Sequence, residues 1–474
     1  MKAQSRSSFK SMLPMIWPIF LELLLQILVG YVDQLMIANV RQDAIGAIAN
    51  ANQVLNILLF VFSMISMATT ILISQYRGAG EDEQIPRLIT LSCGVNLLLG
   101  LTAGSAIGAC SGAFFRLMRV PDVFLAPASE YLHIVGGFCF LQSLSLTLSA
   151  VFRSHKLMRQ SMLVSVSMNL ANIAGNALLI YGIGPFPALG VRGVAIATVV
   201  SRLTGLLLFG LLVRRHFKGC IALCHLRPFP WTLLRQLFAI GIPAGGESFS
   251  YNITQLIILT MVNSFGPNAT TAKSYCSMIS SFALLYCQSV SQVTQIVVGY
   301  HVGARDFDAA DRIARAAALS SLVVTTSVSF CVYLMCAPIF SLFGASAAVK
   351  TLCKNVMRIE VFRQFGRSFN MLYLRALQGS GDIRFPIAVG IADSWIVVIG
   401  IGYLLGCVMG FGLCGIWFAM ALDENIRGTI FICRWRKGTW KRRSILSGGR
   451  RAEDYSFAAA SASGRARLPR KTTR

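Results

Sequence analysis

Along nearly the whole chain, apolar runs long enough to cross about 30 Å of hydrocarbon alternate with short polar connections. In the first half these runs begin near Ser11, Ala44, Leu88, Val123, Ser161 and Leu189. In the second half they begin near Gln236, Ala269, Asp311, Val349, Phe385 and Gly412. The pattern predicts an all-α, polytopic membrane protein with twelve transmembrane helices, six in each half. The first run is too long for the apolar region of a signal peptide and has no small-residue cleavage site, so it reads as a retained helix.

The two sets of runs are copies of one another. Pro18 and Glu22 recur 225 residues later as Pro243 and Glu247, Gly78 and Arg87 as Gly303 and Arg312, and Arg159 as Arg384. An internal repeat of hydrophobic segments marks transporters whose two pseudo-symmetric halves enclose a binding site. The expected divisions are an N-terminal six-helix lobe (1–213), a cytoplasmic connector (214–235), a C-terminal six-helix lobe (236–436) and a basic, disordered cytoplasmic tail (437–474).

Composition supports this reading, because 55% hydrophobic and 13% charged residues leave no room for an ordinary charged surface. The net charge of +24 raises the question of nucleic acid. The basic residues fall instead where a membrane protein keeps them. Lys2, Arg6, Lys10, Arg77, Arg153, Lys156, Arg159, Arg214, Arg215, Lys218, Arg227, Arg305, Arg312 and Arg384 all lie in one alternating set of connections, and far fewer lie in the other. Basic loops resist translocation, so both termini are expected in the cytoplasm, with the tail against anionic lipid and no nucleic-acid partner. The cysteines are scattered through apolar helices, and Cys220, Cys224 and His225 in one loop lack the second ligand pair of a zinc site. No His pair at metal-ligand spacing and no nucleophile–base set is present, so neither an enzyme nor a cofactor is expected.

Against this apolar background a few polar residues stand out. Asp33 falls near the middle of the first helix, where a carboxylate costs about 2.5–3.5 kcal/mol on insertion scales and no basic residue of its own helix can pair with it. Glu22 and Gln26 share its stripe of the helix. In the fifth helix Asn172 and Asn176 are four apart on one face, and in the sixth Thr198 follows the small-residue run VRGVAIA, which permits close helix approach. The repeat maps Asp33, Asn172, Asn176 and Thr198 onto Ile258, Val397, Ile401 and Met420, all apolar. A set kept in one copy and erased in the other favours a dedicated polar site, one that exchanges a proton or cation for substrate, over generic helix packing. The second half carries Glu247, the repeat partner of Glu22, and in the tenth helix Glu360, Arg363 and Arg367 on one face. Asp393, Asp423 and Arg427 are available to pair with them, so the two arginines read either as a locked ion-pair network or as part of the cavity wall. The candidate substrate-cavity set is Glu22, Gln26, Glu247, Glu360, Arg363, Arg367 and Asp393.

The stretch WPIFLELLLQILVGYVDQLMIANV, followed by AIGAIANANQ and ISQYRGAG, resembles the opening helices of the multidrug and toxic compound extrusion (MATE) transporters of bacteria. GVRGVAIATVVSR, RALQGSGDIRFP, GLCGIWFAMALDENIRG and RWRKGTW look like further signatures of that family, and together the matches run from about Pro14 to Trp440. The resemblance implies a monomeric inner-membrane antiporter whose two lobes form a V-shaped cavity and which exports small organic, drug-like, cationic or amphipathic compounds in exchange for protons or sodium ions. It also implies that Asp33, Asn172, Asn176 and Thr198 form the coupling site, the place where a sodium ion would bind, and that the first helix bends at Pro18. Pro14 and Pro18 can equally mark a helix start. Many members carry aspartate where this chain has Asn176, and one carboxylate fewer weakens the case for a hard cation. The alternative function is a flippase for a lipid-linked glycan from the wider superfamily, with the tenth-helix arginines holding a pyrophosphate.

Overall fold

The computed structural model describes residues 9–38, 42–117, 122–182 and 187–443; the tail expected to be disordered lies almost wholly outside them. Among the described residues the chain is helical and contains no strand. The first half comprises α1 (Leu13–Ala38), α2 (Gln42–Ala79), α3 (Gln84–Leu117), α4 (Asp122–Gly137), α5 (Cys139–Ser154), α6 (Met158–Tyr181) and α7 (Val191–His216). The second comprises α8 (Trp231–Asn263), α9 (Pro267–Gly303), α10 (Phe307–Leu334), the short α11 (Cys336–Leu342), α12 (Ala347–Ser380), α13 (Arg384–Asp393) and α14 (Gly412–Arg436). α4 and α5 form one span bent by 47°. α13 continues as a π-helix over Ser394–Ile401. The result is twelve rods in two six-rod lobes, starting close to the positions expected from hydropathy.

Among the described residues seven helices, or eight spans with the bent pair, are long and apolar enough to cross a membrane. α8, α9, α12 and α14 are not among them, and the reason is visible in α12. There Glu360, Arg363, Gln364, Arg367, Ser368 and Asn370 are all buried inside the protein, so the polar groups that lower its hydropathy never meet lipid.

The first helix of each lobe begins in the core of the other. Met12, in the turn just before α1, and Ile16 and Ile19 at its start pack into the cluster built by α9, α10, α12 and α14. Leu233, Leu237 and Ile240 at the start of α8 pack with α2 and α3. Pro18 lies inside α1 at this junction, and Pro243 lies inside α8. A proline within a helix removes one backbone hydrogen bond and weakens the rod there, so each entry helix is softened where it passes from the opposite core to its own lobe.

At the same end of the molecule the repeat-related glycines bring α2 and α9 into backbone contact. A Cβ on Gly78 would fall inside the Tyr300 carbonyl, and one on Gly303 inside that of Gln75. Gln75 Nε2 donates to the Gly379 carbonyl at 2.8 Å, and Lys156 Nζ sits 4.5 Å from the centre of the Tyr300 ring. Gly78→Val is therefore expected to wedge the lobes apart and lower the apparent melting temperature of the purified protein, by an overpacking cost of about 1–3 kcal/mol. Gly94→Ala, with no atom within 4 Å of its Cβ, should leave it unchanged.

Candidate functional site

In the first lobe α6 and α7 approach closely because their facing residues are small. A Cβ on Gly175 would stand 2.9 Å from that of Ala197, and one on Gly193 2.7 Å from the Leu179 carbonyl oxygen. This contact sets Asn176 and Thr198 one residue away from the tightest point. Asn176 is fully buried and donates to Asn172 Oδ1 at 3.3 Å. The Thr198 hydroxyl donates back to the Val194 carbonyl at 2.8 Å, which leaves its oxygen lone pairs for a further donor or a cation. α1 packs along α6, where the Tyr181 hydroxyl donates to the Met36 carbonyl at 3.4 Å. The Asp33 backbone belongs to this part of α1, whereas its side chain lies outside the described residues. Of the equivalents in the second lobe, Ile258 and Met420 pack into one apolar cluster, Val397 is buried and Ile401 is half-buried. The repeat-related positions thus carry polar side chains on an α-helix in the first lobe and apolar ones in the second, where the helix is π over Ser394–Ile401.

Glu22 is buried at the junction of the lobes. Its Oε1 accepts from Arg153 Nη2 at 2.7 Å and from the Ser165 hydroxyl at 2.6 Å, and Arg153 Nη1 donates to Gln292 of the second lobe at 2.9 Å. Glu22 is therefore tied into an inter-lobe latch, while Gln26, one turn on, is exposed. Arg153 was legible only as one more basic residue near a loop; no periodicity within α5 shows that it reaches α1 and α9.

The tenth rod, α12, buries its charges against α14. Arg367 Nε donates to Glu424 Oε1 at 2.9 Å, and Asn370 Nδ2 donates to Glu424 Oε2 at 2.7 Å. Glu360 accepts from Trp417 Nε1 at 2.6 Å, from Gln364 at 2.7 Å and from Arg363 at 3.3 Å. Weaker cross-pairs at 3.9 Å, Arg363 to Glu424 and Arg367 to Glu360, close the quartet. Glu360, Arg363 and Arg367 thus form an ion-pair network, and none is more than a tenth exposed. Glu424 was missed in the sequence because its neighbour Asp423 has an obvious partner one turn on, whereas the partner of Glu424 comes from another helix. Asp423 does pair with Arg427, and Asp393 Oδ2 lies 3.8 Å from Arg427 Nε. Glu247 is half-buried beside Gly390, near Arg375 and Arg427. Among the described residues no group of three or more His, Cys, Asp or Glu side chains is arranged to hold a metal ion.

Two repeated bundles of long helices, with polar sets buried at membrane depth in each, define a multi-pass membrane transporter built from two homologous lobes. The chain belongs to the MatE family, whose model matches it twice, over residues 18–178 and 243–404, which is more than half its length and at the offset of the internal repeat. It is 32% identical to the uncharacterized transporter YisQ of Bacillus subtilis, over 91% of this chain and 94% of that protein. It is 23% identical to the probable multidrug resistance protein NorM of Thermotoga maritima, over 92% and 94% of the two chains. Among solved structures, a multidrug resistance MATE family transporter in an outward-facing conformation superposes with a TM-score of 0.84 at 19% identity, covering 92% of this chain and 97% of that one. The protein is thus a MATE family transporter.

Proposed function

We propose that this transporter is an antiporter of a bacterial cytoplasmic membrane, with both termini inside the cell. It exports small organic, cationic or amphipathic compounds in exchange for protons or sodium ions and works as a monomer without a cofactor. The observation that carries the reading is the asymmetry between the lobes. Asn172 and Asn176 form a buried polar pair beside the helix that holds Asp33, while the equivalent positions of the second lobe are all apolar and two of them, Ile258 and Met420, pack into one apolar cluster. An exporter needs one place where the driving ion is bound differently in two states, and this is the place the chain keeps polar. Support for a drug-like substrate comes from relatives described as multidrug resistance proteins. The flippase alternative receives no such support, because the arginines that would hold a pyrophosphate are already neutralised by Glu360 and Glu424.

Purified protein in liposomes tests the proposal. Efflux of a cationic dye should follow an imposed proton or sodium gradient and cease without one, whereas scrambling of a labelled lipid with no dye efflux would favour the flippase. Orientation is tested separately. A cysteine at Ala188, in the exposed turn before α7, should react with a membrane-impermeant thiol reagent from outside the cell in a background cleared of accessible cysteines. Reaction only from the cytoplasmic side would invert the topology.

A further inference from the structure

In the second lobe one guanidinium serves three carboxyl groups. Arg427 is ion-paired with Asp423 one turn away on α14, and its Nε lies 3.8 Å from Asp393 Oδ2 at the end of α13. Glu247 of α8 approaches it across Gly390, where a Cβ would lie 3.4 Å from Glu247 Oε1 and 3.8 Å from Arg427 Nη1. The charged groups that face this pocket are Glu247 from α8, Arg363, Arg367 and Arg375 from α12, and Asp423, Glu424 and Arg427 from α14. Glu424 is taken by Arg367 and Asn370, and its quartet with Glu360, Arg363 and Arg367 is balanced. What remains is Glu247, Asp393 and Asp423 against Arg375 and Arg427. With every group ionised, one negative charge would stay uncompensated at membrane depth, where burial is costly.

The way the two aspartates gather on one guanidinium shows where that charge is removed. Asp423 pairs with Arg427 Nη2, and Asp393 Oδ2 stands 3.8 Å from Nε of the same group, so both carboxyls are drawn to one cation. Ionised carboxylates offer only acceptors, so two of them sharing one buried cation repel unless one carries a proton. Water cannot screen the pair, since Asp393 is 8% and Asp423 3% exposed. Asp393 Oδ2 and Asp423 Oδ1 each lack a hydrogen-bond donor among the described residues. The backbone supplies an independent sign: the helix turns from α to π at Ser394, directly after Asp393. Such widened turns concentrate at functional positions because they redirect the side chains around them.

We propose that Asp393 and Asp423 form a proton-sharing carboxyl dyad, a proton-binding site of the second lobe that is separate from the Asp33 set and is linked to Glu247 through Arg427. With the proton in place, Arg427 balances the remaining carboxylate of the dyad and helps to neutralise Glu247. When the proton leaves, the dyad carries two charges and draws on Arg427 more fully. Glu247 is then under-compensated and becomes a better partner for a cationic ligand. Proton occupancy and cation binding at Glu247 therefore oppose one another, the sign that antiport requires. The role in transport rests on the exporter reading; the protonated dyad does not.

Infrared difference spectroscopy on the purified full chain in lipid, titrated in pH without sodium, tests the dyad directly. The expected result is a carbonyl-stretch band of a protonated carboxyl that persists at neutral pH, shifts in deuterated buffer, is lost in Asp393→Asn and in Asp423→Asn, and remains in Asp33→Asn. Asp393→Asn is the safer variant, because its amide places an N–H where the shared proton was, while Asp423→Asn releases Arg427. If the latter fails to fold, the former decides. Absence of the band in the wild type, or a band that neither variant affects, would overturn the proposal. So would loss of the band on adding sodium chloride but not choline chloride at constant pH, since the dyad would then be a metal-cation site. Because the readout needs no transport, its outcome stands apart from that of the efflux assay.

Discussion

Asp33→Asn is expected to reduce gradient-driven export to the leak measured without a gradient, while the protein still reaches the membrane and still binds ligand. The argument begins with how α1 is held. Its start is anchored in the second-lobe core through Met12, Ile16 and Ile19, and Glu22 fixes it at the lobe junction through Arg153 and Ser165. Asp33 lies eleven residues beyond Glu22, on the part of α1 that packs along α6. An ion held between Asp33, Asn172, Asn176 and Thr198 would join α1 to the close-packed α6–α7 pair. Losing the ion leaves a carboxylate that must find other partners, and α1 can repack by bending at Pro18. A gradient does work only if the ion binds the two arrangements with different affinity, and the amide introduced by Asp33→Asn neither takes up a proton nor carries charge for sodium. Asn176→Ala removes a neutral ligand and should weaken coupling less. Efflux by Asp33→Asn at the wild-type rate and pH profile would disprove the mechanism and leave the fold untouched.

Hydropathy and the repeat made the fold legible because lipid imposes one rule on every span, and that rule survives without knowledge of neighbours. The same rule explains where the pattern was weakest. α12 carries Glu360, Arg363 and Arg367 through the bilayer because α14 supplies Glu424 and Trp417, and pairing between helices leaves no trace in the periodicity of either. Single residues could be singled out when they were anomalous within their own helix, as Asp33 and the Asn172–Asn176 pair are. Arg153 was absorbed by the charge bias of the loops, and its reach to both Glu22 and Gln292 emerges only when three helices are brought together. Gly390 was likewise silent, since its importance is the space it leaves between Glu247 and Arg427.

Arg367→Gln is expected to destabilise the whole second lobe and to lower export of every substrate alike, without changing which compounds are preferred. Among the described residues Arg367 gives Glu424 its only ion pair shorter than 3 Å, the next being Arg363 at 3.9 Å. Removing one partner of a buried pair leaves the other charge desolvated, at a cost of about 3–5 kcal/mol, enough to appear as a large fall in apparent melting temperature and in membrane abundance. Asn370 would still donate to Glu424 at 2.7 Å, but a neutral donor does not replace a counter-charge in this surround. The companion variant fixes the cause. Arg367→Gln combined with Glu424→Gln removes both charges and leaves two amides able to bond one another, so the double variant should be more stable than Arg367→Gln alone. A cavity-wall role predicts the opposite pattern, in which Arg367→Gln melts like the wild type and selectively alters export of anionic or zwitterionic compounds. Melting curves of the two single variants and the double variant, read beside efflux of one cationic and one anionic dye, separate the two. Since Glu424 and Asp423 are adjacent on α14, the same quartet also holds the Asp393–Asp423 dyad in place, and the proton-dependent infrared band should weaken in Arg367→Gln and recover in the double variant.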